Sequence, residues 1–460
     1  MHSARGSAVS KYDLPNNLLS IQNLYLHNLP KGKVFRNNKS RVKTANLISE
    51  CLTKILTNAD NKAFEKLVRY TLHNKDFFGK KTLFDSELSW MIIRKMYDTT
   101  MQGTSFLDFF WSWRNLFGSL FSILLSDLPP ASCYHSLCTG YAGIMLARAH
   151  FETGRPCLLT EHGIYTNERR IELSTADWLY DQSNISLAIA KSKLNSISGF
   201  HEMWTRLFLS YSSLCYDVCD KIITLYEGNR TLQISEGAPK SKTMVIHNGI
   251  KFSKFFQSKH LLQKCPTIAF IGRIVPVKDV KTFIRSVAII KNSIPNIKAY
   301  ILGSHDEDLE YYNECMSILK DNKLEDTLIL TGEVNVSEYF KKIDLLVLTS
   351  LSEAQPLVII ECGAAGIPVV ASDVGACREM IEGLPTESPK YGHGGIITPL
   401  SNAKSTAEAV IKLLNDVEFY RHCSVNIKRR VKKSYNIKNQ YEAYNSIYNK
   451  LINTKNKGSN

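Results

Sequence analysis

Between Glu353 and Glu361 the chain reads Glu-Ala-Gln-Pro-Leu-Val-Ile-Ile-Glu, two carboxylates placed across the start of an expected helix. Upstream, Gly272 and Arg273 close an apolar run that begins at Thr267, and Lys278 follows shortly after. Two cations and two hydroxyl-seeking carboxylates at strand ends answer the needs of a sugar nucleotide, a diphosphate flanked by two polyols. Arg presents a planar fork to phosphate oxygens and Lys a compact charge. With Arg273 directly after the strand and Lys278 opening the next helix, the two are expected to converge on one anion. Such a pair suits a leaving diphosphate, which takes up negative charge as its bond to the sugar breaks.

Pro356 fits the first position of a helix, where its missing N–H is not needed. The amides of Leu357 and Val358 then face outward at a positive helix end that can receive phosphate. Glu361, further into that helix, can offer two oxygens to adjacent ribose hydroxyls, as acidic residues do in dinucleotide sites. Glu353, in the preceding loop, can accept from donor-sugar hydroxyls. Taken singly, Glu353 could serve the helix dipole and Glu361 a surface ion pair. The strand expected over Ile343–Thr349, just before them, is what sharpens the pattern.

A third cluster, Thr160-Glu161-His162-Gly163-Ile164-Tyr165, follows the apolar Cys157-Leu158-Leu159. A His at a strand end, followed by Gly, can approach a ligand closely. Glu161, Tyr165, Arg169 and Arg170 are acceptor-side candidates at the same mouth, although Arg169 and Arg170 could equally form structural ion pairs with Glu168 or Glu172.

These residues need strand ends to hold them. From about residue 131 to 247, short apolar runs near Tyr134, Cys157, Lys221 and Thr243 alternate with helical stretches, the βα signature of a doubly wound sheet. A second series has strand candidates ending at Gly272, Gly303, Gly332, Thr349 and Ser372, with another near Ile396. Val280, Phe283, Ile284 and Val287 recur at helical spacing and place one apolar face on that sheet. The expected fold class is α/β, two Rossmann-like doubly wound domains facing a cleft: residues 1–247, residues 248–435, and a closing helix with a polar tail over 436–460. Tyr441, Tyr444, Tyr448, Leu451 and Ile452 mark that helix.

The 460-residue length fits two domains of ordinary size. With 44% hydrophobic and 22% charged residues the class is globular, and a net charge of +14 suits polyanionic ligands or acidic membranes without choosing between them. Basic clusters at Lys31, Lys33, Arg36, Lys39, Arg41 and Lys43, and at Lys428, Arg429, Arg430, Lys432 and Lys433, read as solvated faces, with anionic lipid as the alternative. Neither resembles a nucleic-acid module. Eleven scattered cysteines, without metal-ligand spacing, favour a reducing compartment over a disulfide framework. Cys215 and Cys219 read as core. No signal-peptide stretch opens the chain, so a cytoplasmic location is expected. Residues 106–125 are aromatic and apolar but interrupted by Asp108 and Arg114. They read as a buried or interfacial helix, with membrane-partner docking as the alternative.

Together, Thr139 to Gly143, Thr160 to Leu173, Leu225 to Arg230, His247 to Ile250, Phe270 to Lys278 and Leu351 to Gly366 resemble the retaining glycosyltransferases of family 4. The likeness is closest to the branch that makes Pel exopolysaccharide. It implies a GT-B fold and a cytoplasmic enzyme, working without metal or cofactor, at or near the inner face of the membrane. It further implies transfer from a nucleotide-sugar donor, commonly a UDP-sugar, to a polysaccharide acceptor, with an inner-membrane polysaccharide synthesis complex as candidate partner. By that resemblance Arg273 and Lys278 hold the diphosphate, Glu361 the ribose and Glu353 the donor sugar. His162 lies near the reacting carbon, the base sits against Glu333 and Val334, and Asn248 and Gly272 line the donor.

Family members open with a strand and a Gly-Gly loop that are not found before Lys11, so shortening at the N-terminus is expected. Gln355-Pro356 stands where many members carry Phe-Gly. Two other readings stay open: a catalytically impaired nucleotide-sugar-binding scaffold, and another GT-B enzyme such as a nucleotide-sugar epimerase.

Overall fold

The computed structural model describes residues 15–26, 28–33, 35, 37–166, 190–256 and 262–456. The chain divides into two compact units, one of Met1–Lys54, Lys62–Pro129 and Ile189–Phe200, the other of Ile55–Asn61, Pro130–Ala188 and His201–Asn460. The sequence division at residue 247 falls inside the second unit.

The first unit is helical among its described residues. Its helices are α1 (Asn38–Asn58, whose last turn belongs to the second unit), α2 (Asn61–His73), α3 (Lys80–Phe84), α4 (Glu87–Thr100) and α5 (Phe106–Leu125). Ser86 and Ser89 form a reciprocal capping box on α4, and Ser105 accepts from the Asp108 amide to start α5. The aromatic segment is thus a helix. It buries Phe109, Trp113, Leu116, Phe117, Leu120 and Phe121 and leaves Leu107 and Trp111 exposed. Arg114, one of the charges that interrupt it, lies 4.3 Å from the Phe84 ring and donates to the Phe84 carbonyl. Among the described residues no helix is long and apolar enough to cross a membrane.

The second unit holds two parallel sheets. The first has the order β1-β2-β3-β4, from β1 (Tyr134–Ser136), β2 (Cys157–Glu161), β3 (Lys221–Thr224) and β4 (Thr243–Val245). Between them run α6 (Gly140–Thr153), α7 (Ala190–Val218, whose residues to Phe200 belong to the first unit) and α8 (Glu227–Ser235). Cys157, Leu159 and Ile222 face a core with Leu146, Cys215, Tyr216 and Cys219, so the two neighbouring cysteines are core as expected.

After the short α9 (Phe252–Phe255), the second sheet is built from β5 (Thr267–Ile271), β6 (Lys298–Leu302), β7 (Leu328–Gly332), β8 (Leu345–Leu348), β9 (Val369–Ser372) and β10 (Gly395–Thr398). Its helices are α10 (Val280–Ser293), α11 (Leu309–Asp321), α12 (Leu357–Ala365), α13 (Cys377–Glu382), α14 (Ala403–Asn415) and α15 (Val417–Ser434). The strands alternate. Ile268, Phe270, Leu345 and Val347 join the core made with α10, α11 and α14, where all four periodic residues of α10 are buried. Ala269, Ile271, Leu346 and Leu348 join the one made with α12, α13 and α15. A sheet covered on both faces in this way is doubly wound.

Arg430 departs from the solvated reading of its cluster. It is fully buried in α15, where its guanidinium binds both Glu387 oxygens at 2.7 and 2.9 Å and the carbonyls of Ile381, Glu382 and Gly392. The fork geometry of Arg pins the irregular segment between α13 and β10. In the other cluster Lys33 pairs with Asp76 and Arg41 with Glu87, while Arg36 lies outside the described residues.

The closing helix α16 (Ile437–Asn456) leaves the second sheet and packs on the first. Ala443, Tyr444, Ile447 and Tyr448 cover Leu158, Ile223 and Ile246. The Tyr448 hydroxyl is 2.7 Å from His135 Nδ1, His135 Nε2 is 2.8 Å from Thr160 Oγ1, and Thr160 Oγ1 is 2.8 Å from the Tyr444 hydroxyl. Burial, with His162 nearby, pushes the His135 pKa down to about 4, so this chain of contacts is neutral at physiological pH.

Candidate active site

The second sheet has the order β10-β9-β8-β5-β6-β7. The chain therefore moves outward from β5 through β6 and β7, then returns to the opposite side of β5 with β8. Doubly wound sheets take ligands in the crevice beyond the strand carboxyl ends at such a reversal. Arg273 and Lys278 follow β5, and Glu353 follows β8.

Lys278 and Glu353, 75 positions apart, meet there. The Lys278 ammonium donates to Glu353 Oε1 at 2.5 Å, and the two side chains are only 21% and 12% exposed. Their backbones are tied as well: Thr349 Oγ1 donates to the Lys278 and Asp279 carbonyls at 3.2 and 2.9 Å, and the Leu351 amide to the Val277 carbonyl at 2.8 Å. Lys278 does not open α10 as expected. It ends a 3-10 turn over Pro276–Lys278, because Asp279 takes a left-handed φ of 45° and caps α10 through the Thr282 amide.

Arg273 is engaged elsewhere than Lys278, which meets Glu353. Its exposed guanidinium pairs with Glu307, in the loop after β6. The cause is a close backbone approach: a Cβ on Gly303 would lie 2.1 Å from the Gly272 oxygen, and the Ile274 amide donates to the Ser304 carbonyl at 2.9 Å. That contact brings Arg273 beside the acidic run of residues 306–308. Gly272 itself is half-buried at this crossing.

Pro356 is the N-cap of α12 with an extended ψ of 112°, so the helix starts one residue later than expected. Leu357 and Val358 become its first two residues, whose amides have no intrahelical acceptor. Glu361 is half-buried on the same helix. Burial raises its carboxyl above the usual range, and Lys254 opposes that shift. Glu333 is exposed just after Gly332, and Val334 packs partly on the core. The Asn248 amide donates to Gln355 Oε1 at 2.7 Å.

The first sheet supplies less than expected. Glu161 is completely buried and does not face an acceptor: Thr139, Tyr216 and Gln233 donate to its carboxylate at 3.1, 2.8 and 2.9 Å. Its strand-end position sets it under α6, α7 and α8, and burial pushes its pKa up to about 7. His162, the next residue, reaches solvent, and partial desolvation holds its pKa below the ordinary value. Tyr165 is half-buried, its ring against Gly140, where a Cβ would lie 2.3 Å from Tyr165 Cε1. Arg169 and Arg170 lie outside the described residues. Among the described residues no three His, Cys, Asp or Glu side chains are grouped to hold a metal ion.

Sequence reasoning missed Glu307, Gln355 and Gly375. Gly375 has a φ of 51°, and a Cβ there would fall 2.0 Å from the Glu353 carbonyl oxygen. It lets the loop after β9 press against the Glu353 loop, where the Ala376 amide donates to the Ala354 carbonyl at 2.8 Å. A Gly shortly after a strand was its only signal.

Residues 2–241 match the family described as a domain of unknown function, DUF3492, and residues 252–430 match glycosyl transferases group 1. One relative is the lipopolysaccharide core biosynthesis mannosyltransferase LpsB of Rhizobium meliloti, 25% identical over 46% of this chain and 61% of that protein. Another is the UDP-Gal:alpha-D-GlcNAc-diphosphoundecaprenol alpha-1,3-galactosyltransferase of Escherichia coli, 23% identical over 73% of this chain and 79% of that protein. Among solved structures, Anabaena HepE in complex with UDP aligns with a TM-score of 0.52 at 18% identity, covering 66% of this chain and 76% of that one. Sucrose-phosphate synthase of Thermosynechococcus elongatus aligns with a TM-score of 0.54 at 17% identity, covering 81% and 82%. These structural neighbours share the two-domain, Rossmann-like GT-B fold.

Proposed function

The chain belongs to the DUF3492 family and carries a group 1 glycosyltransferase domain, and from that premise we propose that it transfers a sugar from a UDP-sugar to a growing exopolysaccharide of Pel type, with retained anomeric configuration. The observation that carries this reading is the Lys278–Glu353 pair at the point where the strand order reverses. In the donor complex Arg273 and Lys278 hold the diphosphate, with the Leu357 and Val358 amides at the positive end of α12. Glu361 takes the ribose hydroxyls, Glu353 the sugar hydroxyls, and Glu333 and Val334 flank the base. His162 stands near the reacting carbon. As the bond from that carbon to the diphosphate breaks, its electron pair moves onto the diphosphate oxygen, where the two cations stabilise it. The acceptor hydroxyl forms the new bond to the same carbon and passes its proton to the departing diphosphate oxygen. The reaction takes place in the cytoplasm, alongside an inner-membrane synthesis complex that receives the polymer.

Support comes from relatives named as glycosyltransferases and from HepE, solved with UDP. The test is calorimetric titration with UDP and UDP-sugars, followed by product analysis with polysaccharide acceptors. Absence of nucleotide binding sinks the proposal. Binding without transfer or hydrolysis leaves the scaffold reading, and an isomerised donor as product leaves the epimerase reading.

A further inference from the structure

Gln355 sits between the Glu353 loop and α12, yet its side chain reaches the end of the first sheet. It is buried, with its Oε1 accepting the Asn248 amide at 2.7 Å and its Nε2 donating to the Leu225 carbonyl at 3.3 Å. Leu225 lies just beyond β3 and Asn248 beyond β4, so one carboxamide grips the carboxyl ends of two neighbouring strands. His247 fixes the arrangement. Its Nδ1 is 2.7 Å from the same Leu225 carbonyl, so that nitrogen carries the proton and cannot accept from Gln355 Nε2, 3.3 Å away. The Gln355 N–H is thereby directed to the carbonyl. An apolar side chain of the same length would leave the part-buried Asn248 N–H without this acceptor and the Leu225 carbonyl with His247 as its remaining side-chain donor, a costly change.

We propose that Gln355 is a positioning residue: it aligns the loop carrying Glu353, and the first amides of α12, with the strand ends of the first sheet, so that donor and acceptor sides meet in one geometry. The catalytic part of this inference rests on the donor reading above, and the bridge itself does not. Gln355 is separated by one residue from Glu353 and by one from Leu357, so a shift at this joint moves both groups relative to His162. Small misplacements of this kind reduce turnover far more than they reduce binding.

Two variants of the full chain separate the bonds. Gln355→Met keeps the length and loses both, whereas Gln355→Glu keeps an acceptor for the Asn248 amide and loses the donor to Leu225. In hydrogen exchange without nucleotide, the Asn248 amide should exchange at least about tenfold faster in Gln355→Met, near the wild-type rate in Gln355→Glu, with β5 and β8 unchanged in both. Equal rates in wild type and Gln355→Met, or the same acceleration in both variants, overturn the bridge. In transfer assays Gln355→Met should lose at least about tenfold in kcat while UDP affinity stays within about twofold. Unchanged kcat, or a loss of UDP affinity that matches the loss of kcat, overturns the positioning role. If Gln355→Met does not fold, Gln355→Glu carries the test through lowered kcat at retained UDP affinity, and full kcat in that variant overturns the role of the Leu225 bond. A wild-type chain that binds no UDP defeats the donor reading alone, because the exchange measurement needs no nucleotide.

Discussion

Lys278 and Glu353 satisfy each other across the end of β5 and β8, cation to carboxylate at 2.5 Å, both largely withdrawn from water. Under the proposed donor assignment, a ligand bearing a diphosphate and a sugar exchanges this one contact for two of its own. Neutralising either partner therefore alters how the other meets the ligand.

Glu353→Gln should leave UDP affinity intact or improved, since Lys278 is freed for phosphate, while UDP-sugar weakens by about tenfold through loss of a charge-assisted hydrogen bond. Glu361→Gln should weaken both ligands. Calorimetric titration of the two variants decides, and equal losses for UDP and UDP-sugar in Glu353→Gln would show that the division of roles is wrong.

The Arg273–Glu307 pair makes opposite predictions for its two members. Arg273→Ala should weaken UDP by at least about tenfold. Glu307→Gln should tighten it by about two- to fivefold, the scale of an exposed ion pair, with the gain shrinking as salt is raised. A Glu307 variant that weakens UDP would mean this carboxylate supports the ligand and does not compete with it.

Since the two cations are assigned a metal's work, EDTA should leave nucleotide binding unchanged. Binding lost to the chelator and restored by magnesium or manganese would refute this assignment.

Glu161 predicts a pH effect on stability. Its carboxyl is pushed from 4.5 up to about 7, so the folded chain holds that proton more tightly than the unfolded chain does. Its contribution is complete below pH 4.5 and is lost as pH rises toward 7, a loss of about 3 kcal/mol. Urea unfolding across that window should show wild type losing stability relative to Glu161→Gln. A constant difference between the two would mean that Glu161 ionises normally in the fold.

The second sheet was legible because its signals are local. Alternation along β5 and β8 and the spacing of Val280, Phe283, Ile284 and Val287 are properties of a few consecutive residues, and so is the placing of Arg273 and Glu353 at strand ends. Contacts between loops are different. Arg273 meets Glu307, 34 positions away, only because Gly303 lies against Gly272, and nothing in either loop alone announces that crossing. Glu161 read as a group at the mouth because carboxylates usually reach water. Its donors are Thr139, the N-cap of α6, Tyr216 in α7 and Gln233 in α8, so their convergence is a tertiary property. Arg430 sits in a run of cations that looks uniform, and only the fold distinguishes the one turned inward.

The anchoring of α16 on β1 and β2 has a bearing on synthesis. A ribosome releases β1 to β4 long before it releases Tyr444 and Tyr448, and domains otherwise tend to fold in the order in which they emerge. Leu158, Ile223 and Ile246 remain without their cover, and Thr160 and His135 without their tyrosine partners, until the whole second sheet has been translated. The first sheet is begun before the second and finished after it, so a stalled or prematurely ended chain would leave an apolar sheet face uncovered.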